Sequence, residues 1–203
     1  PSIYLTSDAT QQANSGKIRF SEHAAGTNDY FDIYHDGSAN AFKIESDYAS
    51  NNLVIARATG NVGIGTSDPK DTLHVYGTGG WEPQVVIENA GVHSTPAQLQ
   101  FYKSRAGGVG VSGDYVGQIA FNADDDTSAT DVSYATIWAK MDDADEASKD
   151  GSIHFSTVVN NSDTELLTIK GGNVGINDSS PTEGKLHVVN ATAGQRGVYI
   201  TNT

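Results

Sequence analysis

The chain has 203 residues, room for one or two compact domains or a run of smaller modules. Against 12 Lys and Arg stand 25 Asp and Glu, a formal charge of −13, which excludes a nucleic-acid partner because phosphate binding needs clustered cations. With no cysteine there is neither a disulfide framework nor a thiolate metal site, and no window approaches the ~20 apolar residues of a membrane-inserted helix.

Hydrophobic residues make up only 37%, and Gly reaches 22 residues, low in apolar mass for a globule yet too patterned for disorder. The apolar residues are mostly β-branched, 13 Ile and 16 Val against 7 Leu and 1 Met. Such side chains suit a pleated surface and lose rotamer freedom in helices, so the fold class expected is all-β. The start at Pro1, with no leader-like stretch, leads us to expect a segment of a longer product.

Brief alternations of polar and apolar residues predict strands in chain order at Lys17 to Phe20, Phe42 to Ile44, Gln98 to Phe101, Gln118 to Phe121, Ile137 to Ala139, Ser152 to Phe155 and Leu167 to Ile169. Each has its apolar set on one face only. Clusters of Gly, Asn, Asp and Ser at Ala25 to Asp29, Ala106 to Asp114 and Val159 to Asp163 predict turns between them. The polar stretch Asp142 to Ser148 has no apolar stripe and is expected to be a loop with at most one helical turn.

An internal repeat runs across these strands. Thr59-Gly60-Asn61-Val62-Gly63-Ile64-Gly65-Thr66-Ser67-Asp68-Pro69, followed by Leu73-His74-Val75, returns as Gly171-Gly172-Asn173-Val174-Gly175-Ile176-Asn177-Asp178-Ser179-Ser180-Pro181, followed by Leu186-His187-Val188. The offset is 112 at the proline (69 to 181) and 113 at the leucine (73 to 186), so one residue is inserted between them. A further strand recurs as Val85 to Asn89 and Val198 to Asn202, and Pro1 to Ser7 aligns with the same element. The expected organisation is a short β module over 1–82, a longer one over 83–195, and the first strand of a third over 196–203, an array of stacked units. Modules this small, apolar on one face only, are poor at building a core alone, so partner chains are expected to cover those faces.

Within the repeat, alternation puts Val62 and Ile64 on one face and Gly63 on the other. Glycine in a strand marks a bend or a close approach of another backbone, the role expected of Gly63 and Gly175. Gly65 is replaced by Asn177 in the second copy, and Asn is the side chain that best tolerates positive φ, so both positions are expected to be left-handed turns. Pro69 and Pro181 are expected to end those turns before Leu-His-Val begins a new strand.

The pattern Gly-Asn-Val-Gly-Ile-Gly-Thr, then Pro, then Leu-His-Val resembles a motif of bacteriophage tail fibre and virion structural proteins, often found upstream of a self-cleaving intramolecular chaperone domain. The Gln-Ile-Ala-Phe, Ala-Thr-Ile-Trp-Ala and Gly-Ser-Ile-His-Phe strands of the long module are similar to such fibres too. The resemblance implies a parallel homotrimeric, intertwined fibre, an extracellular place on a virion with other virion proteins as partners, and host adhesion at a distal point. It carries no catalytic residue onto this sequence.

Other constellations carry little chemistry. Gly108 to Gly113 matches a dinucleotide fingerprint, but the following residues predict a strand where that motif needs a helix, so no cofactor is expected. Asp124 to Asp126 and Asp142 to Glu146 are acidic loops that lack the glycine and terminal glutamate of an EF-hand; solvated loops and a cation site are the two readings. His74 and His187 share a repeat position, which points to a structural task. Trp81, Trp138, Tyr102, Tyr115 and Tyr134 are candidates either for core packing or for stacking on the rings of a host surface glycan. No serine elbow, zinc-ligand spacing or Walker loop is present, and no carboxylate pair is singled out for glycoside hydrolysis. The expected function is a non-enzymatic shaft or spacer, with a glycan-binding module and, behind it, a polysaccharide depolymerase as alternatives.

Overall fold

The computed structural model describes residues 15–21, 30–47, 52–92, 94–126, 131–190 and 198. Among them there is no helix, and 12 strands form two six-stranded sheets, an all-β protein. The chain divides into two units, Pro1–Ala90 and Gly91–Thr203, with one sheet in each.

In the first unit β1 (Ser15–Ser21), β2 (Tyr30–Asp36), β3 (Ala41–Ser46), β4 (Leu53–Ala56), β5 (Val62–Ile64) and β6 (Leu73–Val75) lie side by side in chain order. Every neighbouring pair is antiparallel except β5 and β6, which run parallel. The second unit has the same plan with β7 (Tyr115–Asp124), β8 (Asp131–Asp143), β9 (Asp150–Val159), β10 (Ser162–Lys170), β11 (Asn173–Ile176) and β12 (Leu186–Val188), again with only the last pair parallel.

Turn chemistry sets these hairpins. Asn160 and Asn161 both have positive φ, +50° and +61°, in the two-residue loop joining β9 to β10. Gly171 and Gly172 do the same between β10 and β11, at +57° and +75°. Two successive left-handed residues match the right-handed twist of the flanking strands, which is why Asn-Asn and Gly-Gly stand there. Between β2 and β3 the Asp36 carboxylate accepts from the Ser38 and Ala39 amides, both at 3.0 Å, and closes the turn.

The register sorts the side chains by face. In the second sheet Ile119, Ile137, Phe155, Leu167, Ile176 and Val188 form one rung across all six strands. Two residues along each strand, Gly117, Ala139, Ile153, Ile169, Val174 and Leu186 form another. The rung between them, facing the other way, is Gln118, Trp138, His154, Thr168, Gly175 and His187. The first sheet is sorted in the same way, with Ile18, Ile33, Ile44 and Leu53 aligned on its apolar face.

Two expectations are corrected here. Gln98 to Phe101 and Val85 to Asn89 belong to no ladder among the described residues, although their alternation is that of strands. The loop expected over Asp142 to Ser148 is there, without a helical turn and starting after Asp143, where β8 ends; in it Asp143 accepts from the Asp145 amide at 2.9 Å and Asp145 from the Ala147 amide at 2.8 Å. Side-chain capping of this kind competes with helix formation. The turn expected at Ala25 to Asp29, the strand at Pro1 to Ser7, and nearly all of the final strand lie outside the described residues.

Candidate functional site

The repeated motif builds a tight parallel crossover. The strands β5 and β6 are three residues long, so the connection over residues 65–72 has to span only about 10 Å to bring the chain back alongside. Gly65 stands at φ +78° and Asn177 at +55°, so both turns start with a left-handed residue. Gly63 and Gly175 are buried beneath the loops. A Cβ on Gly63 would lie 2.6 Å from the Thr66 carbonyl oxygen, and one on Gly175 would collide with the Asp178 carbonyl oxygen. The close approach of backbone expected at these glycines is therefore made by their own turn.

Pro69 and Pro181 are buried in the middle of the crossovers, and each carbonyl accepts a hydrogen bond from an asparagine side chain of the motif. Asn61 Nδ2 donates to Pro69 at 3.2 Å and Asn173 Nδ2 to Pro181 at 3.0 Å. Sequence reasoning assigned no role to these asparagines, although the identical Asn-to-Pro spacing of eight in both copies was visible. The two histidines pin the same loops by different bonds. His74 Nδ1 accepts from the Lys70 amide at 3.4 Å, and His187 Nδ1 lies 2.5 Å from Asp178 Oδ2. The Ser180 amide and then His187 hold the Asp178 carboxyl below the usual carboxylate range.

The faces of the two sheets invert the usual distribution of burial. Among the described residues, the two crossover prolines aside, only Tyr34, Ala41 and Val54 are buried apolar side chains, whereas Asp32, Asp36, Lys43, Thr136, Ser152, His154, Ser156 and Thr168 are buried polar ones. On the polar face of the first sheet the charges satisfy one another: Arg19 Nε and Lys17 Nζ reach Asp32 at 2.8 and 2.6 Å, and Lys43 Nζ reaches Asp36 at 3.0 Å. Lys17 lies over the Tyr34 ring, and Tyr34 donates to Glu45. The Arg19 bond, supported by Lys17, holds the Asp32 carboxyl below its usual range. Burial opposes ionisation of Asp36, but bonds from Ser38, Ala39 and Lys43 outweigh it and lower that carboxyl as well.

The apolar face of the first sheet is left open, and that of the second is overlaid only in part, by residues 97–101. Phe20 and Phe31 are 58% and 55% exposed on the first sheet, and Phe121 and Leu186 are 53% and 62% exposed on the second. Isolated exposed apolar residues are ordinary on protein surfaces; contiguous rungs of them mark an interaction surface.

The remaining candidates are scattered or spent on structure. Gly107, Gly108 and Gly113 form positive-φ turns held by the Arg105–Asp114 ion pair, and strand β7 follows them. Of the acidic runs, Asp142 faces Lys170 at 3.4 Å and Asp143 closes its own turn, and among the described residues no group of three or more His, Asp or Glu has metal-binding geometry. Trp138 stacks on His154 at 3.7 Å with the rings 8° apart, and Tyr115 tilts against it at 5.1 Å. These two aromatics border a polar cavity of about 540 Å³ with Gln118, Asp163 and Glu165. Trp81 and Tyr102 are exposed elsewhere, and Tyr134 is half exposed. Comparison with protein-family models and with curated protein sequences gives no match.

Proposed function

We propose that this chain is a structural shaft or spacer segment of the bacteriophage tail-fibre kind, assembled as a homotrimer on the outside of a virion and joined to other virion proteins. The observation that carries this reading is the inverted burial: both sheets bury polar side chains on one face, the first through its own ion pairs, and leave much of their apolar rungs exposed on the other. Copies of the chain packed with these faces inward gain a common core. Completing the burial of a half-exposed Ile, Leu or Phe contributes about 1 kcal/mol per side chain. The resemblance of the Gly-Asn-Val-Gly-Ile motif supports the fibre context.

Sedimentation of the intact chain tests the reading. An oligomer is expected, and Ile137→Glu on the central rung of the second sheet is expected to dissociate it while the β signal in circular dichroism persists. A compact monomer at micromolar concentration overturns the proposal. A second reading, a glycan-binding module, draws on the cavity beside Tyr115 and Trp138. A glycan array without signal for the intact assembly removes it.

A further inference from the structure

Two unsatisfied halves of a β-ladder lie in the second unit. The first is the segment Pro96–Ser104, in which every residue is exposed and no backbone hydrogen bond reaches any described residue. Its alternation, Gln98-Leu99-Gln100-Phe101, is that of a strand with Leu99 and Phe101 on one side. The second is the outer edge of β7, which ends the sheet order and has β8 as its only strand neighbour among the described residues. β7 is ten residues long and carries the matching alternation Gln118-Ile119-Ala120-Phe121.

Within its own chain the segment does not occupy that edge. It lies on the apolar face, where Phe101 covers Gly117 so closely that a Cβ on the glycine would come 2.6 Å from Phe101 Cβ. Seated there it leaves a cavity of about 640 Å³ between Leu99, Phe101, Ile119, Ile137 and Ile153. A strand former with no ladder, above a gap the size of several side chains, and an open edge one residue longer are each completed by the other. An exposed edge of this kind is a template for strand addition.

We propose that Pro96–Ser104 is a donated strand, which in the assembly pairs with the β7 edge of a second copy, extends that copy's sheet to seven strands, and continues its apolar face with Leu99 and Phe101. This rests on the self-assembly read above and adds the contact that locks it. Donation from one copy to the next is a head-to-tail contact, which closes into a ring when the rotation between copies permits.

The chain has no cysteine, so engineered thiols report without background. Chains carrying only Gln100→Cys are co-assembled with chains carrying only Gln118→Cys or Ala120→Cys, all of them surface positions, and then oxidised. The expected product is a mixed disulfide between the two kinds of chain, located by peptide mass spectrometry. In the unmodified assembly the amides of residues 97–103 are expected to exchange about a hundredfold or more slowly than in an unpaired segment. If one chain carrying both cysteines closes the bond within itself and never joins two copies, donation between copies is overturned. If the assembly sediments intact, no bond forms at either position and residues 97–103 exchange freely, the donated strand is overturned and the shaft stands. A monomer overturns both.

Discussion

The Asn61 side-chain amide donates to the Pro69 carbonyl, and this bond ties the residue just before β5 to the middle of the crossover that follows it. The second unit repeats it with Asn173 and Pro181. Replacing either asparagine by Ala should cost about 1 kcal/mol, the usual net worth of such a bond, and the double replacement about twice that, since the two sites lie in different units. Urea unfolding monitored by circular dichroism would measure it. Asn61→Asp should be worse than Asn61→Ala, because it brings a second acceptor up to the carbonyl; equal stability of all three would show that the crossover does not depend on the amide.

Gly63 and Gly175 predict a steep dependence on side-chain size. Gly63→Val must push the Thr66 carbonyl away, and Gly175→Val the Asp178 carbonyl, each breaking a turn that holds a parallel pair. Gly80 is the proper control, since a Cβ there meets nothing and its φ is not positive. We expect a loss of roughly 3 kcal/mol or more for either valine, in the range of other steric and backbone-strain defects, and within about 0.5 kcal/mol of no change for Gly80→Val. Thermal melts of the three variants would decide.

The pair Gly65 and Asn177 predicts an asymmetry. Both residues are left-handed, but a Cβ on Gly65 would collide with the Tyr76 carbonyl oxygen. In the second unit the corresponding carbonyl, that of Val189, accepts from Asn177 Nδ2 at 3.1 Å. Gly65→Asn should therefore lower the melting temperature despite the precedent in the other copy, and Gly65→Ala should lower it further because alanine offers no amide in return. Asn177→Gly should cost only the lost bond, about 1 kcal/mol.

Acid should loosen the first unit. Asp32 and Asp36 are held ionised below the ordinary carboxylate range, so the stability they contribute is present above about pH 4 and is lost as the pH falls through their lowered folded-state values. Asp32→Asn should flatten the acid limb of the melting temperature measured from pH 7 down to pH 2. It should also lower stability at neutral pH by about 1–3 kcal/mol, since Arg19 and Lys17 lose a charged acceptor. An unchanged acid limb would show that the Asp32 pairs do not contribute.

Much of this fold was legible because alternation survives wherever polar and apolar residues are cleanly separated. Lys17 to Phe20, Gln118 to Phe121 and Ser152 to Phe155 fall within β1, β7 and β9. β2 was missed because Tyr34, an aromatic, sits on the polar face among Asp32 and Asp36 and blurs the pattern. β4 was missed because Leu-Val-Ile-Ala is a continuous apolar run, with Val54 wholly buried on the opposite side from Ile55. In the candidate site, the close packing at Gly63 was readable from glycine in a strand, but the identity of the approaching carbonyl depends on how eight residues fold back. Local sequence does not encode that path. Nor does it tell a paired strand from an extended segment without a partner, which is why Gln98 to Phe101 was misplaced.

The parallel last pair also governs where the polypeptide goes. Four antiparallel steps carry β1 to β5 up and down in turn, so β5 points the same way as β1; a fifth such step would send β6 back toward the entrance. The crossover at Pro69 spares the chain that return, and β6 points forward again. The second unit does the same from β7 to β12. Within each unit the backbone thus makes net headway along the strand direction, arriving at one end of the sheet and departing from the other. An even number of strands becomes a one-way passage, and a single turn, eight residues long in the first unit and nine in the second, acts as its ratchet.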